Sequence, residues 1–154
     1  MLSAVAPDSA RIRPGSPADL PAVRDLLDGA GLPTADLTSA GLQLWVLEEG
    51  DSSFMGAIAL ERSSGNEALL RSLVIVPASR GRGFGQQLVA RVETDSRQAG
   101  IHRLILLTET AKPFFERLGY AVIDRQSISR AVKESAEFRS LCPASAVCMA
   151  KSLK

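Results

Sequence analysis

The segment SRGRGFGQQL, from Ser79 to Leu88, places three glycines and two arginines within seven residues. It follows an apolar run and precedes a helical pattern, which predicts a strand, a tight turn and the start of a helix. Such a turn directs unpaired backbone amides and the positive end of the helix toward one point, where glycines let an anion approach the backbone. Arg80 and Arg82 add positive charge, which favours binding of a pyrophosphate. A glycine turn without a ligand is the alternative.

The spacing of the glycines excludes two common nucleotide motifs. Gly81, Gly83 and Gly85 alternate with single residues, whereas the dinucleotide fingerprint has two residues between its second and third glycines. No Gly-Lys-Ser or Gly-Lys-Thr sequence follows, so the turn is not the phosphate loop of a nucleotide hydrolase. The segment is therefore predicted to bind the phosphates of another kind of ligand.

Arg71 interrupts the apolar run that precedes the turn. An arginine within a buried strand needs an anionic partner, because an unpaired charge is costly to bury. The partner is either the carboxylate of a substrate or a salt bridge to Glu61 or Glu109 across the sheet. The sequence alone leaves both interpretations open.

The two cysteines, Cys142 and Cys148, are more consistent with free thiols than with a disulfide. Cys148 falls in a predicted strand with Ala146 on the same face, which indicates packing as a small apolar side chain. Cys142 precedes that strand, and its open functions are contact with a substrate, nucleophilic catalysis and binding of a soft ion. The only histidine, His102, is expected at the surface, and two thiols are too few for a closed metal site. No metal is predicted.

Apolar patterns separated by turn residues predict one α+β domain with a mixed sheet. The predicted strands are Arg11–Arg13, Leu42–Glu48, Phe54–Glu61, Ala68–Val76, Arg103–Thr108, Tyr120–Ile123 and Ala146–Ala150. The predicted helices are one that follows a cap at Ser16 and ends at Gly31, a second at Gly85–Gln98 and a third at Ala111–Leu118. Because the second helix lies between two strands of the sheet, those two strands are predicted to pair in parallel.

Composition limits the classes of function. A chain of 154 residues with 45% apolar and 23% charged residues fits a single domain at residues 11–154, preceded by an N-terminal extension at residues 1–10. The net charge of +1 and the lack of a basic cluster argue against nucleic-acid binding. Residues 1–10 lack the pattern of a signal peptide, and no apolar run is long enough to span a bilayer. A cytoplasmic protein without a membrane partner is expected.

The glycine turn and the strand before it resemble the GNAT superfamily of acetyl-CoA-dependent N-acetyltransferases. The pyrophosphate motif of that family, Arg/Gln-x-x-Gly-x-Gly/Ala, falls on Arg80, Gly83 and Gly85, and the preceding strand with its proline falls on residues 73–77. A second family motif falls on Ala111, Phe114, Phe115, Leu118, Gly119 and Tyr120.

The resemblance implies a GNAT fold, with a mixed central sheet of about six to seven strands and flanking helices. It also implies acetyl-CoA as the acetyl-donating cosubstrate, with its pantetheine arm bonded to the strand backbone like an added strand. The residues implied to contact acetyl-CoA are Leu73, Val74, Ile75, Arg80, Gly81, Arg82, Gly83, Phe84, Gly85, Gln86, Thr108 and Phe115.

The usual catalytic side chains of the family are not matched. Phe115 stands where many relatives have a tyrosine that protonates the departing thiolate, and Tyr120 stands at the position of a packing aromatic. Leucines occupy residues 69–70, where some relatives place a glutamate base. By position, Glu67 and Glu109 are candidate bases.

A simpler expectation is direct attack by the amine in a ternary complex, with a water chain that removes the proton. A backbone amide in the Leu73 region would polarise the thioester carbonyl. The catalytic candidates are therefore Leu73, Glu109 and Cys142.

Three stretches narrow the resemblance to small GNAT proteins labelled arsenic-resistance N-acetyltransferases: LRSL at 70–73, FFERLGY at 114–120 and EFRSLCPASA at 137–146. This resemblance implies acetylation of the primary amine of a small molecule, a toxic glutamate-like amino acid that contains arsenic or phosphorus. The substrate-binding candidates are Arg71, Ser72 and Cys142. A non-catalytic sensor of acetyl-CoA or a metalloid is the alternative, and acetylation of protein termini or lysines is a third. A homodimer through the last strands is compatible with the fold.

Overall fold

The structure is a computed structural model that describes residues 10–32, 42–51, 53–62, 65–128 and 146–153. Cys142 lies outside these ranges, as does nearly all of the stretch 137–146. Within them, seven strands form one sheet: β1 (Arg11–Pro14), β2 (Leu42–Glu48), β3 (Phe54–Arg62), β4 (Glu67–Ile75), β5 (Arg103–Thr108), β6 (Ala121–Val122) and β7 (Val147–Ser152). The helices are α1 (Leu20–Gly29), α2 (Phe84–Gln98) and α3 (Lys112–Arg117).

The strand order in the sheet is β1-β2-β3-β4-β5-β7-β6. All neighbouring strands pair in antiparallel fashion except β4 and β5, which are parallel. The parallel pair requires a crossover, and α2 supplies it by carrying the chain from the end of β4 back to the start of β5. The predicted α+β class, the mixed sheet and the single parallel pair are confirmed.

Helices cover both faces of the sheet. On one face, α2 places Leu88 and Val92 in a buried cluster with Leu60 and Leu70 of the sheet. These side chains follow the helical spacing on α2 and alternate along each strand, as the apolar pattern requires. On the opposite face, α1 contributes to a cluster that contains Val23, Leu27, Ala57 and Val74.

A charged pair fixes the start of α1. The carboxylate of Asp19 accepts a hydrogen bond from the backbone N–H of Ser16 at 2.8 Å, so the predicted cap is confirmed. Arg13 of β1 contacts both oxygens of the same carboxylate, at 2.8 and 3.0 Å. The hydrogen bond from Arg13 is the main reason why the pKa of Asp19 falls to about 2. This pair ties the helix to the edge of the sheet.

We expect the variant Asp19→Asn to lose stability in a pH-dependent way. The folded pKa of Asp19 is about 2 and its ordinary value is 3.8, so its contribution is present above pH 4 and disappears as the pH falls through 2. At neutral pH the free energy of unfolding should fall by about 1 kcal/mol, because Arg13 is partly exposed. Denaturant unfolding between neutral pH and pH 2 checks this. A deficit of equal size at every pH would show that the charge of Asp19 is not responsible.

The structure moves some predicted boundaries. The strand expected at Tyr120–Ile123 is shorter in the structure and consists of β6 alone. The chain turns at Asp124, whose carboxylate accepts the N–H of Gln126 at 2.9 Å. The last strand extends beyond its predicted end, since β7 pairs with β5 from Val147 to Ser152. The helix ends differ from their predicted positions by a residue or so, as fraying termini commonly do.

Candidate active site

A cleft opens where the two parallel strands separate. β4 and β5 are in register for only three residue pairs, the last of which is Leu69 with Ile105. Beyond that pair β4 continues along β3 as far as Ile75, and β5 continues along β7 as far as Thr108. The diverging strands leave a cavity of about 710 Å³, which the start of α2 and the helix α3 also border. A volume of this size suits a small-molecule ligand.

A β-bulge in β4 lies on the wall of this cleft. Ala57 pairs with Val74, and Ala59 pairs with Arg71. Between these two pairs β4 has two residues, Ser72 and Leu73, whereas β3 has only one. Ser72 has a φ of 60°, the only positive φ at a non-glycine residue in the part of the chain that the structure describes. Such strain is uncommon away from functional sites. Ser72 and Leu73 both line the cleft.

The end of β4 presents backbone groups to the cleft. The N–H of Val76 donates to the carbonyl of Met55 in β3 at 2.8 Å. Because neighbouring residues of a strand direct their backbone groups to opposite sides, those of Ile75 face away from β3. The Ile75 carbonyl accepts a hydrogen bond from Arg80 Nε at 3.0 Å. The turn that follows β4 therefore folds back over the open strand edge.

The glycine turn places the start of α2 against the cleft. Gly81 and Gly83 have φ values of 79° and 83°, which L-amino-acid side chains rarely adopt. The N–H of Gln87 donates to the Gly83 carbonyl at 3.1 Å, so the amides of residues 84–86 precede the first helical hydrogen bond of α2. These residues line the cleft together with Gly81 and Gly83. Unpaired amides at the start of a helix are groups that can bind an anion.

Two arginines of the turn have different positions. Arg80 lines the cleft, whereas Arg82 is not among the lining residues. The guanidinium of Arg82 lies 4.8 Å from the centre of the Phe84 ring, in a cation–π contact. Both side chains lie beside the helix start and add positive charge to it.

The helix α3 forms the opposite wall. Phe114 and Phe115 contact each other edge to face at 5.0 Å between ring centres, and both line the cleft. A Cβ placed on Gly85 would lie 3.4 Å from the Phe114 ring, at ordinary van der Waals contact, so the start of α2 packs directly against α3. Thr108, also in the lining, accepts the N–H of Ala111 through its hydroxyl at 3.0 Å and so fixes the turn into α3.

Arg71 lies on the floor of the cleft. Its side chain is fully buried, and its guanidinium contacts Glu61 at 3.2 Å and the Ser72 hydroxyl at 3.3 Å. The salt bridge considered from the sequence is thus present, with Glu61 as the partner. Arg71 also borders the cleft, but its guanidinium is enclosed, so a substrate anion reaches it only when the contact with Glu61 opens.

The charge of the cleft is positive. Three arginines line it, of which Arg71 is enclosed and paired with Glu61 while Arg80 and Arg117 are exposed. No carboxylate lines it within the described ranges. Glu61 contacts Arg71 but does not reach the lining. Positive side chains with hydroxyl groups between them attract anionic ligands and oppose polycations.

Several other candidates lie away from this site. Glu67 is at the closed end of the strand pair, where it contacts Arg103 at 2.9 Å. Glu109 follows β5, is exposed and is not a lining residue. Cys148 is buried in an apolar cluster, where burial raises the pKa of its thiol. No cluster of histidine, cysteine and acidic side chains in the described ranges could hold a metal ion.

The sequence did not reveal a buried polar network behind α3. Tyr120 donates its hydroxyl to Glu93 of α2 at 2.9 Å, and Lys151 of β7 contacts both oxygens of that carboxylate at 3.1 Å. Lys151 also donates to the Leu118 carbonyl at 2.8 Å. The one signal for it was that Glu93 falls among the apolar positions of α2. Burial and the charge of Glu93 raise the pKa of Tyr120, and Tyr120 does not line the cleft.

We expect Tyr120→Phe to reduce stability and leave catalysis nearly intact. The change removes a hydrogen bond to a buried carboxylate, which should lower the free energy of unfolding by about 1–2 kcal/mol. Turnover should stay within about threefold of wild type, because the hydroxyl lies outside the cleft. Denaturant unfolding and steady-state rates check both parts. A fall in kcat of two orders of magnitude would instead identify Tyr120 as the proton donor.

No helix within the described ranges has both the length and the apolar character needed to cross a bilayer.

Comparison with known proteins assigns the fold to a family. The family model of the acetyltransferase (GNAT) domain matches residues 40–122, more than half of the chain. This match includes the splayed strands, the glycine turn and α3.

Solved structures of low sequence identity share the fold. N-acetylglutamate synthase from Neisseria gonorrhoeae, complexed with coenzyme A and N-acetyl-glutamate, has a TM-score of 0.80 at 19% identity, over 94% of this chain and 35% of that one. A Mycobacterium tuberculosis protein in complex with CoA has a TM-score of 0.79 at 24% identity, over 94% of this chain and 99% of that one. A mutant of spermidine N-acetyltransferase from Vibrio cholerae has a TM-score of 0.70 at 14% identity, over 95% of both chains. With the family match, the splayed strands and the phosphate-type turn, the chain belongs to the GNAT acetyltransferase family.

Proposed function

We propose that this protein transfers the acetyl group of acetyl-CoA to the primary amine of a small acidic molecule. As a member of the GNAT acetyltransferases it is an enzyme, and acetyl-CoA is its cosubstrate. The observation that carries the acidic acceptor is the charge of the cleft, which three arginines and no carboxylate line within the described ranges.

The donor half of the cleft suits coenzyme A. The strand edge that β4 presents after Leu69 can bond the amides of a pantetheine arm as a further strand would. The amides of residues 84–86, with the positive end of α2, would receive the diphosphate. Arg80 is the side chain best placed to bond the diphosphate, because it lines the cleft and already contacts the strand edge.

The chemistry requires few protein groups. The neutral amine attacks the thioester carbonyl, which forms the C–N bond and a tetrahedral oxyanion. Collapse of this intermediate restores the carbonyl, breaks the C–S bond and releases the thiolate of CoA. The amide N–H of Leu73, in the bulge, is the group proposed to stabilise the oxyanion. Phe115 cannot give a proton to the thiolate, so the proton lost by the amine passes through water. Glu109 and Cys142 remain candidates for this transfer.

The acceptor we favour is a glutamate-like amino acid whose side chain ends in a carboxylate, phosphinate or arsinate. A guanidinium holds such planar or tetrahedral anions through paired hydrogen bonds, and Arg71 with Ser72 offers one at the floor of the cleft. The N-acetyl-glutamate bound to the Neisseria structure lends support at the level of the fold. A polyamine would meet a cleft of its own charge.

The test is acetyl-CoA-dependent release of free thiol with a panel of amines. The panel contains glutamate, phosphinothricin, arsinothricin, spermidine, an aminoglycoside and a lysine peptide. We expect turnover with the anionic amino acids only. Turnover of spermidine or of the peptide would contradict the proposed acceptor class.

The alternative that the sequence left open, a non-catalytic sensor, would be an exception within this family of enzymes. The observation on its side is that no tyrosine or carboxylate is among the described lining residues. It predicts tight binding of acetyl-CoA with no thiol release for any amine. Calorimetry on the same preparation establishes that acetyl-CoA binds. Thiol release then separates the two, because both bind the cofactor but only the enzyme has a productive amine.

A further inference from the structure

A second cavity lies on the α2 side of the sheet, away from the cleft. It has a volume of about 620 Å³ and is bounded by parts of β2 and β3, by residues 14–20 and by the last turns of α2. This volume lies within the range of small-molecule sites. None of its described lining residues belongs to the cleft described above.

The walls of this cavity are mainly apolar and include one fixed aromatic ring. Trp45 is 5% exposed, and its indole N–H donates to an oxygen of Asp95 at 2.9 Å. The remaining apolar lining comes from Pro14, Pro17, Leu20, Leu42, Leu44, Leu60, Ala99 and Ile101. An apolar body is therefore the part of a ligand that these walls would hold.

A buried hydroxyl on the cavity wall has no partner. Ser96 of α2 is 1% exposed, and its Oγ is the one buried side-chain polar atom of the described residues that makes no hydrogen bond. Buried polar atoms nearly always have a partner. Less than 1 Å² of this oxygen is accessible, so the hydroxyl must rotate toward the cavity to bond a polar atom of a ligand. Ser96 also lines this cavity.

Arg62 supplies a positive charge to the cavity wall and has no partner among the described residues. The carboxylate of Asp95 is neutralised, because Arg91 contacts the same oxygen as the Trp45 indole does, at 3.0 Å. Arg62 follows Leu60 on the same face of β3 and lines the cavity. No hydrogen bond or ion pair joins Arg62 to another residue in the described part of the chain. Charge complementarity favours an anionic ligand.

We propose that this second cavity binds a small aromatic or branched carboxylate with a polar group at its other end. The carboxylate pairs with Arg62, the apolar body lies against Trp45 and Leu44, and the distant polar group bonds the hydroxyl of Ser96 once that hydroxyl has rotated toward the cavity. The ligand differs from the acceptor of the cleft, since it needs no amine and fills an apolar space.

The probe 4-hydroxyphenylacetate carries all three features and tests the proposal. Trp45 is the only tryptophan, so its indole N–H gives a single NMR resonance that reports on this cavity. We expect saturable movement of that resonance with 4-hydroxyphenylacetate. The uncharged amide of the probe should bind about tenfold or more weakly, and so should the probe with the variant Arg62→Gln.

Two variants separate the roles of the cavity and the cleft. Ser96→Ala should weaken binding of the probe without lowering the melting temperature of the ligand-free protein, because the change removes an unsatisfied hydroxyl. Gly83→Glu, at the cleft, should bind the probe as wild type does. An indole resonance that does not move in saturable fashion, or equal affinity for the acid and its amide, would overturn the proposal. So would an unchanged affinity in Arg62→Gln.

Discussion

Binding of acetyl-CoA is expected to be lost in the variant Gly83→Glu, with a Kd at least about 100-fold above that of wild type. Gly83 is the N-cap of α2, and a carboxylate there would repel the diphosphate that the helix start is proposed to hold. A Cβ on Gly83 meets no atom within 4 Å, so the ligand-free fold has room for the new side chain. Calorimetric titration with acetyl-CoA measures the effect.

Gly100→Glu is the matched control for this variant. Gly100 has a φ of 85°, close to the 83° of Gly83, and follows the other end of the same helix. The variant Gly100→Glu therefore has the same left-handed strain and the same added charge as Gly83→Glu, but its new side chain lies away from the cleft. The control should lose some stability and keep its affinity for acetyl-CoA. Wild-type affinity in Gly83→Glu would remove the turn from the proposed cofactor site.

Replacement of Arg71 should have the second large effect. We expect Arg71→Gln to reduce kcat/KM for an acidic acceptor about 100-fold, because the guanidinium is the proposed receptor for its second anionic group. The same change leaves Glu61 without its partner, which should lower the free energy of unfolding by about 2–3 kcal/mol. Steady-state kinetics and denaturant unfolding measure the two losses separately.

A double variant distinguishes recognition from stability. Arg71→Gln combined with Glu61→Gln replaces the ion pair with two amides, so much of the lost stability should return. Activity toward the acidic acceptor should not return, and affinity for acetyl-CoA should stay near wild type in both variants. Recovery of activity together with stability would show that Arg71 only maintains the fold.

Much of the fold followed from local patterns. The strand at Arg103–Thr108 and the strand at Leu42–Glu48 were predicted with their observed ends, because turn residues bound each apolar run. The parallel pair followed from the helix between β4 and β5, since only a crossover can join parallel neighbours. The position of the glycine turn was also predicted, because closely spaced glycines between a strand and a helix indicate a tight turn with positive φ.

The backbone geometry and contacts of the cleft wall could not be predicted from local sequence patterns. The bulge at Ser72 depends on the register of β4 with β3, and no residue type in LRSL signals a positive φ. The sequence left the partner of Arg71 open between a substrate carboxylate and a salt bridge to Glu61 or Glu109, and only the register of the sheet places Glu61 beside it.

The buried network of Glu93, Tyr120 and Lys151 was missed for a related reason. Its members lie far apart in the chain, on α2, after α3 and on β7, so no local period brings them together. The second cavity is a gap between packed elements, and sequence patterns describe the elements rather than the space between them.

A competition for limiting acetyl-CoA shows directly which class of amine the enzyme acetylates. Wild-type protein is given equal concentrations of phosphinothricin and spermidine, and mass spectrometry quantifies the acetylated form of each. The positive cleft predicts N-acetyl-phosphinothricin in amounts that match the CoA released, with spermidine unmodified. Acetylated spermidine would contradict the account, and so would consumption of neither amine while acetyl-CoA stays bound.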